Sequence, residues 1–288
     1  MQINEKDKQF LALYSDSEYE KPSVTVDAVI FRLIDKEENN YRKLPQKQLQ
    51  IFLSKRNYSP YIDCYSVIGT FINLENELTD TVKLCVKNKV DLTNYYCEQL
   101  YTFGDKSRDP RTRVLSVSYM LLTNHQENLK NGEWFDVNFN YVNCNNYKLP
   151  NGYVVEKDII ITLNGSVTFE EKLHLKIVKD GIKETKELSI VSTSLAFDHI
   201  KLILQAYERL KNKLEYTDII FNLLPQKFTL TELKMAYEEI LSEKLLDANF
   251  RRKTAKFVTP LNEFSTGKGH RSSQLFVHNP LWTEINFD

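Results

Sequence analysis

Two groups of residues in this 288-residue chain have the types needed to hold a polyanion. One is a set of arginines: Arg56, then Arg108, Arg111 and Arg113 in one short stretch. A guanidinium is a planar fork whose parallel N–H donors match two oxygens of a phosphate, so such a set fits a phosphorylated ligand. Tyr101 and Phe103 stand just ahead and offer flat faces to a base or a sugar. With Glu98 and Asp109 they complete one candidate ligand set. The competing expectation for Arg108 Asp109 Pro110 Arg111 is a rigid loop whose arginines pair with Asp105 and Asp109. The second group lies near the C-terminus. Between Asn249 and His278, six basic residues (Arg251, Arg252, Lys253, Lys256, Lys268 and Arg271) stand against the single acid Glu263. That excess is a phosphate-binding footprint, and with Asn249, His270 and Gln274 it forms a candidate DNA-contacting set. Because the whole chain carries a net charge of only -1, any such field must be local.

Metal and nucleophile chemistry finds less support. His125, His174, His199, His270 and His278 form no HExxH helix, and Cys64, Cys85, Cys97 and Cys144 show no CxxC spacing. Four buried thiols are expected instead. No catalytic residue, metal ligand or cofactor is expected. No run of eighteen apolar residues and no charged-then-apolar leader is present, so neither a membrane span nor a signal peptide is expected, and the cytoplasm is the default. At 42% hydrophobic residues the chain can build a substantial core.

The elements that must position these residues follow from periodicity. Residues 1–20 read as a polar lead-in. Val24–Phe31 is a β-branched, buried strand, and after a polar stretch Leu49–Ser54 alternates as its hairpin partner. Leu78, Val82, Cys85, Val86 and Val90 recur at helical steps and predict an amphipathic helix. Val114–Leu122 is a further strand, and Ile159–Leu163 with Leu173–Val178 predict a hairpin between Gly165 and Gly181. From Leu195 the pattern turns helical. Leu202, Ile203, Ala206, Leu210 and Leu214 mark a long helix, and a short one near Asp218–Leu224 stops before Pro225. Thr229 caps a third, with Glu232 completing a capping box, and a fourth runs from Asp247 to about Phe257. Strands at Phe257–Leu261 and Gln274–Val277 follow. Helices and then a ribbon read as a winged helix-turn-helix, whose second motif helix enters the major groove.

At this point the chain resembles a known family, the NrtR-like, Nudix-related transcriptional regulators. The strings that carry the resemblance are Lys21–Asp27 (KPSVTVD), Glu98–Asp105 (EQLYTFGD), Arg108–Val114 (RDPRTRV), Leu195–His199 (LAFDH), Leu214–Tyr216 (LEY) and Asn249–Lys253 (NFRRK). They span about residue 21 to 280. The resemblance implies an α+β chain: a Nudix-like α/β/α sandwich with a mixed sheet at 21–194, then a winged helix at 195–288. It implies a homodimeric repressor on palindromic operator DNA, with ADP-ribose or a sugar-linked metabolite as effector.

Gly69 to Glu75 also resembles the opening of the Nudix box, GX5EX7REUXEEXGU. The register then places Lys87 and Asn88 where the family has the two adjacent glutamates that hold magnesium. Lys87 puts a cation where a dication would bind, so the resemblance implies a sensor and no hydrolase. The alternative is a Nudix hydrolase acting on ADP-ribose or another nucleoside diphosphate derivative; a dimerising scaffold with an empty cleft is a third reading. Glu75, the surviving box acid, is expected to cap or pair locally. The stretch 138–192 is longer and more polar than the family leads one to expect, which predicts a lengthened hairpin.

Overall fold

The computed structural model describes residues 4–15, 19–36, 45–265 and 272–282. A short exposed helix, α1 (Glu5–Leu13), precedes the first strand. In chain order the N-terminal elements are β1 (Ser23–Lys36), β2 (Gln46–Lys55), β3 (Tyr65–Ser66), β4 (Ile68–Phe71), α2 (Leu78–Val90), β5 (Tyr96–Phe103), β6 (Val114–Thr123), β7 (Glu133–Leu149), β8 (Gly152–Asn164), β9 (Thr168–Asp180), β10 (Lys183–Ser192) and α3 (His199–Lys213).

Strand β1 is the axis of the sheet. It pairs antiparallel with β2 through Phe31–Lys36 and with β4 through Thr25–Ala28, and parallel with β6 along its other edge. The strand order is β10-β9-β8-β7-β2-β1-β6-β5, with β3 on β2 and β4 on β1. The sheet is therefore mixed, as expected. The β1 side chains alternate between two cores. Val26, Ala28 and Ile30 pack with Val82, Val86 and Val90 of α2. Val29, Phe31 and Leu33 pack with Ile200, Ile203 and Tyr207 of α3. A strand buried on both faces reads as an apolar run, which is the pattern of residues 26–31.

The long polar insertion is a meander of four strands where one hairpin was expected. Ile159 and Leu173 do pair, as that hairpin requires, but β7 and β10 flank it. Beyond Tyr141 the side chains of β7 are mostly exposed, so no buried face marks the strand in the sequence. The thiol expectation also needs correction. All four cysteines are free, but only Cys85 is buried; Cys144 lies on the solvated half of β7 and Cys97 on the edge strand β5.

The C-terminal elements are a 3-10 turn (Ile219–Leu223), β11 (Phe228–Thr229), α4 (Leu230–Leu241), α5 (Asp247–Thr254), β12 (Val258–Phe264) and β13 (Gln274–His278), with strand order β11-β13-β12. The capping box forms: Thr229 Oγ1 accepts from the Glu232 N–H at 3.2 Å, and the Glu232 carboxylate accepts from the Thr229 N–H at 2.6 Å. Ser242, at φ 57°, closes α4 in the left-handed region. Helix α5 ends three residues earlier than the periodicity predicts, and Ala255–Phe257 tighten into a 3-10 turn.

One apolar core runs from the sheet through α3 into α4. Tyr207 on α3 stacks on Phe139 of β7 with ring centroids 3.7 Å apart, and its hydroxyl donates to the Ile240 carbonyl of α4 at 2.8 Å. On the same side, Glu239 of α4 accepts from the Leu49 N–H of β2 at 2.8 Å. Among the described residues no helix is long and apolar enough to cross a membrane.

Candidate functional site

A cavity of about 760 Å³ opens where β1, β4, the end of α2, the 108–111 loop and the turn into α3 converge. Of the eight candidate ligand residues, Arg56, Arg108, Asp109 and Arg111 line it; Glu98, Tyr101, Phe103 and Arg113 lie outside it. Each arginine has a different partner. Arg108 is buried and makes a two-pronged bridge to Asp198, with Nε–Oδ2 3.1 Å and Nη2–Oδ1 2.8 Å. Its Nη2 is also 3.8 Å from Asp27 Oδ2. Arg111 forks onto Asp109 at 3.0 and 2.7 Å, and that pairing holds the Asp109 carboxyl below its ordinary range. The internally paired loop therefore forms at Arg111, while Arg108 reaches past it to Asp198. Asp105 turns to Ser107 instead of an arginine.

Arg56 is less fully engaged. Its Nε donates to the Pro60 carbonyl at 3.0 Å, and its guanidinium lies 4.4 Å from the Tyr58 ring and 4.9 Å from Phe197. Its Nη2 is buried with no hydrogen-bond partner. Arg111 also faces Phe71 and Phe197, so aromatic rings and guanidinium groups interleave at one wall. Phe197 holds φ 56°, a left-handed backbone that turns its ring to this wall immediately before α3 begins. His199 lines the same cavity; it is fully buried, its Nδ1 has no partner, and burial pushes its imidazole below the ordinary value.

The floor is set by Asp27, whose carboxylate accepts from Ser116 and, at 3.3 Å, from Thr25. Gly69 leaves room for it, because a Cβ there would overlap Asp27 Oδ1 and sit 2.9 Å from the Val26 carbonyl. Gly69→Ala is expected to lower stability by about 1–3 kcal/mol, since the Val26 carbonyl is backbone and the Asp27 carboxylate is held in place by Ser116. A urea titration with an unmoved midpoint would contradict this.

The degenerate box sits on α2. Lys87 and Asn88 are exposed and do not line the main cavity; Lys89 does, and its ammonium donates to the Gly69 carbonyl. Glu75 is exposed in the turn ahead of the helix, and the N-cap position falls to Glu77, so the expected capping role does not arise. Magnesium would need several carboxylates converging on one point. Among the described residues no group of three or more His, Cys, Asp or Glu side chains is so placed, and the nearest box side chain is cationic. The residues present do not fit a divalent ion.

The four candidates outside the cavity have other surroundings. Glu98 receives Arg209 Nη1 at 3.0 Å together with Lys213 and Tyr96, and thereby clamps α3 to β5. Burial alone would raise its carboxyl, but those donors outweigh it and hold the group low. Tyr101 and Phe103 pack edge-on against each other on β5, 5.1 Å apart. Arg113 is exposed just before β6. Sequence reasoning passed over Asp27, Lys89, Phe197 and His199. Three of these stand in strings quoted for the resemblance, which was the available signal.

The second candidate surface is built on α5. Phe250 and Thr254 anchor the helix, leaving Asn249, Arg251, Arg252 and Lys253 exposed on its outer side. Lys256 lies 4.7 Å from the Trp282 ring, and Gln274 opens β13 with its amide on the Leu261 carbonyl at 3.1 Å. Lys268, His270 and Arg271 lie outside the described residues.

Residues 220–277 match the family model described as the NrtR DNA-binding winged helix domain. The chain is 29% identical to the ADPR responsive transcriptional repressor NtrR of Acinetobacter baylyi over 285 residues, covering 96% of this chain and 90% of the relative. The crystal structure of a MutT/nudix family protein from Enterococcus faecalis shares the fold with TM-score 0.65 at 22% identity, covering 95% and 93% of the two chains. Shewanella oneidensis NrtR, crystallised with a 27mer DNA, superposes with TM-score 0.59 at 24% identity, covering 91% and 95%. The chain thus resembles the NrtR-like, Nudix-related proteins, with a Nudix-type sandwich joined to a C-terminal winged helix of the NrtR kind.

Proposed function

We propose that this protein is a metabolite-responsive transcriptional repressor that binds operator DNA through α5 and its wing and senses ADP-ribose, or a related nucleotide or sugar derivative, in the cavity. The observation that carries the reading is continuity. Phe197 and His199 form part of the cavity wall, α3 starts there, and its other contacts reach α4 of the basic module. An occupant that prefers one arrangement of that wall shifts the orientation of the module by its differential affinity. The A. baylyi relative, a repressor named for its response to ADPR, supports both the DNA and the effector. The protein acts as a cytoplasmic homodimer on a palindromic site. With Lys87 and Asn88 in the box, ADP-ribose incubated with magnesium and the protein releases no AMP.

The test is fluorescence anisotropy on DNA from upstream of the protein's own gene, with and without ADP-ribose. Salt-sensitive binding that changes with ADP-ribose supports the reading, and absence of retention on that DNA sinks it. Arg252→Ala is expected to reduce the slope of log affinity against log salt by about one. Its ADP-ribose affinity stays as in the parent. Loss of ligand with DNA binding retained would show that the two sites have been exchanged.

A further inference from the structure

We infer that the cavity recognises a diphosphate ester without a divalent cation, through the ammonium of Lys89 and the guanidinium of Arg56. The inference rests on the effector reading above and narrows it to a mode of recognition.

Charge and unmet hydrogen bonding decide what the cavity can hold. Five cationic side chains line the cavity: Lys55, Arg56, Lys89, Arg108 and Arg111. Three acids line it, and each is already satisfied. Asp27 holds Ser116 and faces Arg108; Asp109 is forked by Arg111; Glu133 accepts from Tyr65 and from the N–H and hydroxyl of Ser166. The lining therefore carries a surplus of two positive charges, the complement of a diester diphosphate, whose two phosphates carry about two negative charges at neutral pH. The cations are unequal. Arg108 is spent on Asp198, Arg111 on Asp109, and Lys55 lies 3.3 Å from Asp63. Arg56 keeps a buried Nη2 with no partner, and Lys89 meets only a neutral carbonyl. A buried donor without an acceptor is costly, and an anionic oxygen removes that cost while gaining a charge-assisted bond. His199 adds a buried, unpartnered ring nitrogen at the same cavity. A metal-bound diphosphate would bring its cation among these five, where like charges repel it.

The experiment is calorimetric titration of the full-length protein with ADP-ribose, once in EDTA and once in magnesium, alongside Lys89→Met, Arg56→Met and Lys87→Met. Equal affinity in EDTA and magnesium is expected for the parent. Lys89→Met and Arg56→Met each lose roughly ten- to a hundredfold, while Lys87→Met, outside the cavity, is unchanged. Thermal melts of the variants establish that they fold, and the metal comparison needs no variant. Binding that requires magnesium, or that survives Lys89→Met at parental strength, overturns the inference but leaves the repressor reading standing. No binding in either buffer overturns it too, and retention of operator DNA by the same sample then shows whether the DNA-binding half of the reading survives.

Discussion

Arg108→Met is expected to lower the unfolding free energy by about 3–5 kcal/mol, because it leaves a buried carboxylate without its partner. The Arg108 and Asp198 side chains are only 5% and 10% exposed, and Asp27 waits 3.8 Å from the same guanidinium. Removing the cation therefore leaves two acids facing each other in a site water barely reaches. Domains typically hold only about 5–15 kcal/mol in total, so the variant should sit near the edge of folding. A urea titration followed by circular dichroism measures the effect. Adding Asp198→Leu should restore part of the loss, since deleting both charges removes the unpaired carboxylate that makes the single change costly. A single variant within about 1 kcal/mol of the parent would mean that the bridge contributes little and that Arg108 is available to a ligand after all.

Tyr207→Ala should cost about 3–5 kcal/mol, the range for emptying an aromatic site in a packed core. Tyr207 is 1% exposed and flat against Phe139. Its hydroxyl satisfies Ile240, one of the last carbonyls of α4, which has no partner within its own helix. Tyr207→Phe isolates that bond. It keeps the stack and is expected to cost about 1 kcal/mol in urea titrations. The diagnostic result is that Phe weakens the effect of ADP-ribose on DNA affinity more than it weakens either binding reaction alone. Equal responses in parent and Tyr207→Phe would remove Tyr207 from the link between cavity and winged helix.

The parts legible in the sequence are those whose burial imposes a period. The apolar run at 26–31, the helical spacing from Leu78 to Val90 and the stripe on α3 each answer to a core that is present. The Thr229–Glu232 box was readable because both of its bonds are local. The outer strands were not, since the distal half of β7 buries almost nothing and β10 only half-buries Leu188 and Ile190. The candidate site was half legible. Arginine density pointed to the right loop, but it could not show that Arg108 is consumed by Asp198, ninety positions away. Nor could spacing on α2 show that Lys89, and not Lys87, turns into the cavity, because that depends on how the helix sits over β4.

The placement of α3 bears on any attempt to separate the two halves of the chain. Its inner side covers β1, β5 and β6, so scission at Ser194 would strip the sheet of a whole protective layer and bare Val29, Phe31 and Met120 to water. An excised sensor has to carry the chain through Lys213, and a chimera grafting a foreign reading head should be spliced in the Glu215–Asp218 turn.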